Sequence, residues 1–348
     1  MCAKKSTTID QLGEFALIDH LTSGFKSKQE STFTGIGDDA AVIQYGDLCQ
    51  VVSTDMLIEG IHFDLVYTPL KHLGYKAVVA NLSDVYSMNA APRQITVSVA
   101  VSGKFSVEAL EEMYEGVKLA CERYKVDLVG GDTSASLTGM VISVTAIGTA
   151  RREELTLRSG AREHNLICVT GDLGASLMGL RILEREKMVH AEDPAIQPEL
   201  KGYDYVLERY LKPEIRLEAL LALRKAGIVP TSMIDISDGL SSELLHICKQ
   251  SDCGCQIYQD RIPMADETVM AANEFQLEPL IAALNGGEDY EMLFTVPISA
   301  HEKVAAIPGV HVIGNITDMK GHAVLVTNDG NAIKLEAQGW DAYRPPEA

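Results

Sequence analysis

A chain of 348 residues with 46% apolar content has room for two domains and a sizeable buried core. Its 49 acidic residues against 30 basic ones give a net charge of −19, which argues against a nucleic-acid partner. No apolar run approaches the roughly 20 residues that span a bilayer, and Met1 to Ser6 lacks the apolar segment of a signal peptide, so a cytoplasmic protein with no membrane partner is expected.

Thr8 is a candidate cap for a helix whose Leu12, Phe15, Ile18 and Leu21 share one face. A glycine-punctuated stretch then reaches Gly35-Ile36-Gly37-Asp38-Asp39-Ala40-Ala41-Val42-Ile43. Adjacent aspartates repel, so this pair reads either as ligands to a cation or, taken alone, as a solvated turn before a strand. An apolar strand from Cys49 to Val52 is expected to stop at Ser53-Thr54-Asp55, with His62 seven residues beyond the aspartate. Hard oxygen ligands of this kind suit magnesium rather than zinc.

Pro69 suits the first turn of a helix running to about Ala90. On it Asn81 and Asp84 face the same way, amid Ala77, Val78, Val79, Ala80, Leu82 and Val85. Polar groups in such surroundings are costly without a partner, which favours a functional role. Gln94 to Val101 alternates as a strand, and a helix from about Ser106 to Tyr124 carries Tyr114. Val126 to Val129 is a short strand that gives way to Gly130-Gly131-Asp132-Thr133-Ser134, where the glycines allow backbone close to a ligand. Met140 to Ile147 is another strand.

Arg151 to Arg162 is the linker candidate, and Arg158 inside it reads as a solvated side chain or as one that reaches a phosphate. The strand Leu166 to Val169 then runs through Thr170-Gly171-Asp172-Leu173-Gly174 into a helix, a weak phosphate-turn signal. Pro213 and Gly227 bracket the next helix. Met233-Ile234-Asp235-Ile236-Ser237-Asp238-Gly239 goes again from strand to aspartates to helix. Its glycine comes one position early for a calcium loop, and His246 stands where the bidentate glutamate belongs. His246, Cys248, Cys253 and Cys255 match no zinc spacing and read as core. A glycine-rich acidic turn, Leu284 to Glu291, precedes the strand Met292 to Val296. Strands at Val310–Gly314 and Ala323–Thr327 lead to Gly339-Trp340-Asp341.

Asp55, Asp84, Asp132 and the pair Asp235/Asp238, with Asp38 and Asp39, share one pattern: a break in an apolar segment followed by Asp beside Ser or Gly. Clustered carboxylates cannot all stay ionised without cations. Composition and spacing thus reach a magnesium-dependent enzyme acting on phosphates.

The ordered set GIGDDAAV (35–42), VVSTDMLIEGIHF (51–63), YKAVVANLSDVYSMNAAPR (75–93), LVGGDTS (128–134), LRSGA (157–161), VTGDLGAS (169–176), IDISDGL (234–240) and GGEDYEMLFTV (286–296) resembles the thiamine-monophosphate kinase family. That family belongs to the superfamily of aminoimidazole ribonucleotide synthase and selenophosphate synthetase. The Thr-Asp-Gly-Val-Gly-Thr-Lys-like run expected of the former is replaced here by Thr54-Asp55-Met56-Leu57-Ile58-Glu59, and Cys2 lacks the glycine-rich setting of the latter's reactive residue. The resemblance implies an α/β (α+β) fold of two domains. Residues 1–150 would bind metal and ATP and form a barrel-like homodimer core, and 151–348 would be an α/β domain completing the nucleotide and substrate site.

It also implies ATP-dependent phosphorylation of thiamine monophosphate to thiamine diphosphate with several magnesium ions. Carried over by position, the metal ligands are Asp38, Asp39, Ser53, Thr54, Asp55, Asp84, Asp132, Asp235 and Asp238, with Asp55, Asp84, Asp132, Asp235 and Asp238 the catalytic set. Tyr114, Gly131, Asp132, Arg158 and Ser237 would contact ATP, and His62, Glu288 and Trp340 the thiamine phosphate. Relatives often carry Gly-Tyr-Asp where this chain has Gly339-Trp340-Asp341.

Overall fold

The computed structural model describes residues 9–338, so Thr8 and the Gly339-Trp340-Asp341 segment lie outside the described residues. Two short helices, α1 (Ile9–Leu12) and α2 (Glu14–Thr22), lead into β1 (Thr32–Thr34), β2 (Ala41–Tyr45) and β3 (Leu48–Ile58). Then come α3 (Leu70–Ser87), β4 (Ala91–Val101), α4 (Val107–Tyr124), β5 (Asp127–Ala135) and β6 (Val141–Arg151). The strands form one mixed sheet in the order β1-β2-β3-β6-β4-β5, with β4 and β5 parallel across the α4 crossover. Alternation in β3, β4 and β6 buries Val51, Leu57, Ile95, Val97, Val99, Ile142 and Val144 on one face. Against that core lie α3 and α4, which touch backbone to backbone at two glycines. A Cβ on Gly74 would sit 2.0 Å from the Met113 carbonyl oxygen, and one on Gly116 1.8 Å from that of Lys71.

Two strands outrun their expected ends. β3 does not stop at Ser53 but keeps its ladder with β6 from Ser53↔Ala146 to Ile58↔Val141. β5 likewise runs through Gly130 and Gly131 to Ala135, paired along β4. A neighbouring strand satisfies the backbone whatever the side chain, so the oxygen-bearing residues ride within a strand instead of ending it. Period-two alternation then decides what they face: Ser53 and Asp55 share the helix side with Val51 and Leu57, while Thr54 and Met56 point to the other.

The second half comprises β7 (Leu166–Thr170), α5 (Ala175–Glu192), α6 (Asp204–Leu211), α7 (Leu217–Lys225), β8 (Ser232–Asp235), α8 (Leu240–Ser251) and β9 (Gly254–Tyr258). It ends with α9 (Asp266–Glu274), α10 (Pro279–Asn285), β10 (Met292–Val296), α11 (His301–Ala305), β11 (Val310–Thr317), β12 (Ala323–Val326) and β13 (Ala332–Lys334). Its strands make a second mixed sheet, β13-β12-β9-β11-β7-β10-β8, in which β12 and β9 are parallel. The largest apolar core is continuous between the halves, running from Leu82 and Val85 on α3 to Leu220, Leu223, Met233 and Phe294.

The result is a mixed α/β fold of two domains whose facing surfaces share a core. Within one chain the N-terminal sheet is open, with β1 and β5 at its edges and β5 exposed along its length. Cys248, Cys253 and Cys255 are buried as free thiols, as the core reading expects. Among the described residues no helix is long and apolar enough to cross a membrane.

Candidate active site

The polar face of α3 organises the site. Because α3 is wedged between the first sheet and β8, its hydroxyls and amide meet acids from other segments. Ser53 Oγ on β3 donates to Asp84 Oδ2, and Ser87 Oγ donates to Asp39 Oδ2 and to the Asp84 carbonyl, the latter at 2.7 Å. Ser83 Oγ donates to Asp235 Oδ2 at 2.6 Å, and Asn81 Oδ1 accepts from the Asp55 backbone N–H at 2.8 Å. Four separated segments thus bring Asp39, Asp55, Asp84 and Asp235 to one place.

Their electrostatics agree with crowding. The Asp84 carboxyl is pushed well above its ordinary range by burial, then by the charges of Asp55, Asp235 and Asp39. Asp235 is pushed up to about 8 by burial and then by Asp39, with the Ser83 hydrogen bond pulling the other way. Asp55 keeps contact with solvent, yet the protein packed around it and then the Asp39 charge still raise it. Asp38 is raised to about 6, by burial and then by Asp39. In each of these acids the surroundings shift the balance toward the protonated form, and a bound cation would shift it back.

One cation is already present. Arg158, from the segment between the domains, donates its Nε to Asp39 Oδ1 at 2.6 Å, and its backbone N–H reaches Asp38 at 3.2 Å. The linker arginine is therefore clamped on the aspartate pair and is not a solvated side chain.

The turn after β8 carries Ser237 and Asp238, and backbone hydrogen bonds bind it to the Gly286–Glu291 turn. Glu288 N–H donates to the Ser237 carbonyl at 2.7 Å and Tyr290 N–H to that of Ile236 at 2.9 Å. Glu288 and Tyr290 hold positive φ of 61° and 52°, rare for side-chain-bearing residues and a sign of a constrained turn. Behind it Asp289 accepts from Gly174 N–H at 2.7 Å, and Glu291 is gripped by Arg209 at 2.7 Å, Arg216 at 2.9 Å and Thr170 at 2.7 Å.

His62, Lys76 and Glu288 form a second group beside the acids. Lys76 Nζ lies 2.9 Å from Glu288 Oε2 and 4.0 Å from the centre of the Tyr210 ring. His62 Nδ1 accepts from Ile58 N–H at 3.1 Å, which leaves its proton on Nε2, and burial lowers its pKa. Burial, then the charges of Glu288, Asp55, Asp235 and Asp84, hold the Tyr290 hydroxyl in its protonated form, so the two groups adjoin.

Other expected site residues stand apart. The register Asp55↔Val144↔Val97↔Gly131 puts Gly131 three strands from Asp55, and Asp132 pairs with Ser98 on the opposite face. Thr54 Oγ1 also faces away and donates to the Val144 carbonyl at 3.1 Å. Tyr114 packs on the core at α4. Trp340 lies outside the described residues.

The donor set around α3 is carboxylate and hydroxyl oxygen, crowded enough to need positive charge, and this chemistry fits magnesium. Among the described residues no three acidic, imidazole or thiol groups converge into a ready-made metal cage. Magnesium does not require one, since it is commonly held by one or two carboxylates together with substrate phosphates and waters.

Family models for AIR synthase related protein match the chain twice, the N-terminal domain at residues 37–150 and the C-terminal domain at 162–327. The thiamine-monophosphate kinase of Aquifex aeolicus is 33% identical over 336 residues, covering 96% of this chain and 99% of that one. The chain belongs to the thiamine-monophosphate kinase family. The Bacillus subtilis member is 30% identical over 342 residues, 96% of this chain and all of that one. The structure of AaThiL complexed with AMPPCP and TMP superposes with a TM-score of 0.81 at 31% identity, covering 97% of this chain and 99% of its own.

As a member of the thiamine-monophosphate kinase family, the chain carries site residues that motif reading passed over. Lys76 was signalled by a lone cation in an otherwise apolar helix run. Ser83 and Ser87 lie one helical turn apart on the face that meets Asp235 and Asp39. Glu243, buried on α8, accepts from Asp238 N–H at 2.9 Å, and an acid so near the start of a buried helix was its signal.

Proposed function

We propose that this chain is an ATP-dependent kinase that phosphorylates thiamine monophosphate to thiamine diphosphate. The γ-phosphoryl group of ATP passes in line to a phosphate oxygen of the acceptor. That oxygen is already anionic at neutral pH, so no general base has to deprotonate it. The obstacle is repulsion between two anions. Bound magnesium ions would neutralise the phosphates during transfer. Asp38 or Asp39, Ser53, Asp55, Asp84, Asp235 and Asp238 would hold them around α3, while Thr54 and Asp132, on the opposite face of the sheet, would serve separate ions.

In this reading Arg158 turns from the Asp38–Asp39 pair toward the nucleotide phosphates, while Tyr114, Gly131 and Ser237 hold the rest of ATP. His62 positions the acceptor and keeps its proton. Glu288 and Trp340 meet the thiamine moiety. Residues 1–150 supply most of the metal set and 151–348 close the site. Two copies pair through their open N-terminal sheets into a barrel-like core, in the cytoplasm.

What carries the reading is the convergence of Asp39, Asp55, Asp84 and Asp235 from four segments around one hydroxyl-lined helix. Incubation with ATP, magnesium and thiamine monophosphate should yield thiamine diphosphate, and a panel of other phosphomonoesters should not be phosphorylated. Absence of thiamine diphosphate would reject the activity, and equal turnover of the panel would reject the substrate.

A further inference from the structure

We propose that the Lys76–Glu288 ion pair stands in for a zwitterionic substrate. On binding, the substrate's organic cation takes Glu288 and its phosphate takes Lys76, so one internal pair is exchanged for two intermolecular ones. The inference rests on the function proposed above and assigns Lys76 as a phosphate-binding, specificity-determining residue.

The geometry favours exchange over a fixed structural bridge. Lys76 is 2% exposed, and its ammonium rests between Glu288 Oε2 at 2.9 Å and the Tyr210 ring at 4.0 Å. An ammonium has three donors, and among the described residues Lys76 uses one, on Glu288. The Glu288 side chain is more open, at 26%, and its backbone is held at φ 61° by the bond to the Ser237 carbonyl at 2.7 Å. The pair therefore has a sealed cationic end and an open anionic end. A tightly packed bridge that served folding alone would have no need of a strained turn on its acidic partner.

Neighbouring groups suit the same ligand. His62, with Nδ1 occupied by Ile58 N–H, can turn an Nε2–H donor toward a phosphate oxygen. The turn that carries Glu288 is bonded through the Glu288 and Tyr290 N–H groups to the carbonyls of Ser237 and Ile236, next in sequence to Asp235, so a phosphate near Lys76 lies beside the acid cluster. Thiamine monophosphate carries a thiazolium cation and a phosphate in one molecule, and it compensates both ends together.

Charge balance makes the device selective. An anion alone would pull Lys76 away and strand Glu288. A cation alone would strand the buried ammonium, the costlier outcome. Inorganic phosphate and unphosphorylated thiamine are both rejected in this way, which protects ATP from unproductive transfer.

The test is calorimetric binding of thiamine monophosphate, thiamine and inorganic phosphate to the wild-type protein, K76M and E288Q. K76M should weaken thiamine monophosphate on the order of 10- to 100-fold, the scale of a lost charged hydrogen bond, while thiamine binds at least as well as before. E288Q should weaken both thiamine compounds and tighten inorganic phosphate, because Lys76 is released. Binding of a non-hydrolysable ATP analogue reports that each variant is folded. If K76M fails that control, the direction of the phosphate change in E288Q decides. An unchanged ratio of thiamine monophosphate to thiamine affinity in K76M, or no gain of phosphate binding in E288Q, overturns the exchange. Wild-type turnover tests the kinase reading separately: product formation alongside unchanged ratios sinks only the exchange.

Discussion

Ser83 Oγ on α3 and Asp235 Oδ2 at the end of β8 lie 2.6 Å apart, both side chains sealed from solvent, and this bond crosses from one domain to the other. It also stabilises the charged form of a carboxylate that burial and Asp39 otherwise push up to about 8. Removing the hydroxyl in S83A should raise Asp235 further, so that at pH 7 more of it is protonated and a cation must compete with that proton. The expected outcome is a several-fold increase in the magnesium needed for half-maximal activity at pH 7, shrinking as pH approaches 9. A stability loss of about 1 kcal/mol should accompany it in urea melts, the usual worth of one buried hydrogen bond. An S83A enzyme with the wild-type magnesium response at both pH values would take this bond out of the site's function.

Asp55 has a different position from the other acids, with its residue exposed to solvent and its backbone N–H held by Asn81. D55N keeps shape and the Asn81 bond while removing the charge. Turnover should fall about 100-fold or more, with an altered magnesium dependence, because electrostatic screening of the phosphates is the main task of the site. Folding should not suffer, since a repelled carboxylate is being neutralised. Activity within a factor of about three of wild type would remove Asp55 from the cation shell.

The N-terminal half was readable in its elements because β4 alternates and α4 is amphipathic, while α3 is marked by Pro69 and a long apolar run. Its strand ends were not. Ser53-Thr54-Asp55 and Gly130-Gly131-Asp132 look like breaks when judged by side chain, yet a partner strand supplies the hydrogen bonds and the ladder continues. That error matters, because only alternation within an intact strand shows that Ser53 and Asp55 face α3 while Thr54 does not. The acids themselves were legible as a repeated pattern. Their hydroxyl partners were not, since Ser83 and Ser87 acquire meaning only when α3 is wedged against β8 and the Asp38–Asp39 turn. Lys76 was hidden for a similar reason: its partner lies 212 residues away in sequence.

Arg209 is buried between Glu291, Asp289 and the Asp172 carbonyl, and it ties α6 to the turn that presents Glu288. R209M would fill the space but leave Glu291 with Arg216 and Thr170, and Asp289 with backbone donors only. Breaking one member of a buried charged network costs about 3–5 kcal/mol, and that loss should be visible in a denaturant midpoint. Affinity for thiamine monophosphate should fall as well, while binding of an ATP analogue holds. Equal loss for both ligands would mean that Arg209 supports the fold at large and has no particular role in the turn.

His246 on α8 packs against Phe15 of α2, its ring tilted 60° with centroids 4.4 Å apart, and burial, then Arg158 and Lys249, push its pKa down to about 4. Unfolding returns it to an ordinary value near 6.5. The unfolded chain therefore binds a proton that the native one refuses. The stability His246 contributes is complete above 6.5, declines as pH falls, and is gone once pH drops through 4. Discounted for partial exposure, the change is about 2 kcal/mol across that window. H246F keeps an aromatic ring against Phe15 and has nothing to protonate, so its stability at pH 4.5 should approach that at pH 7.5 more closely than the wild type's does. Urea midpoints at the two pH values give the comparison directly. Parallel losses in the two proteins would assign the acid sensitivity to the carboxylates alone and leave His246 as a packing residue.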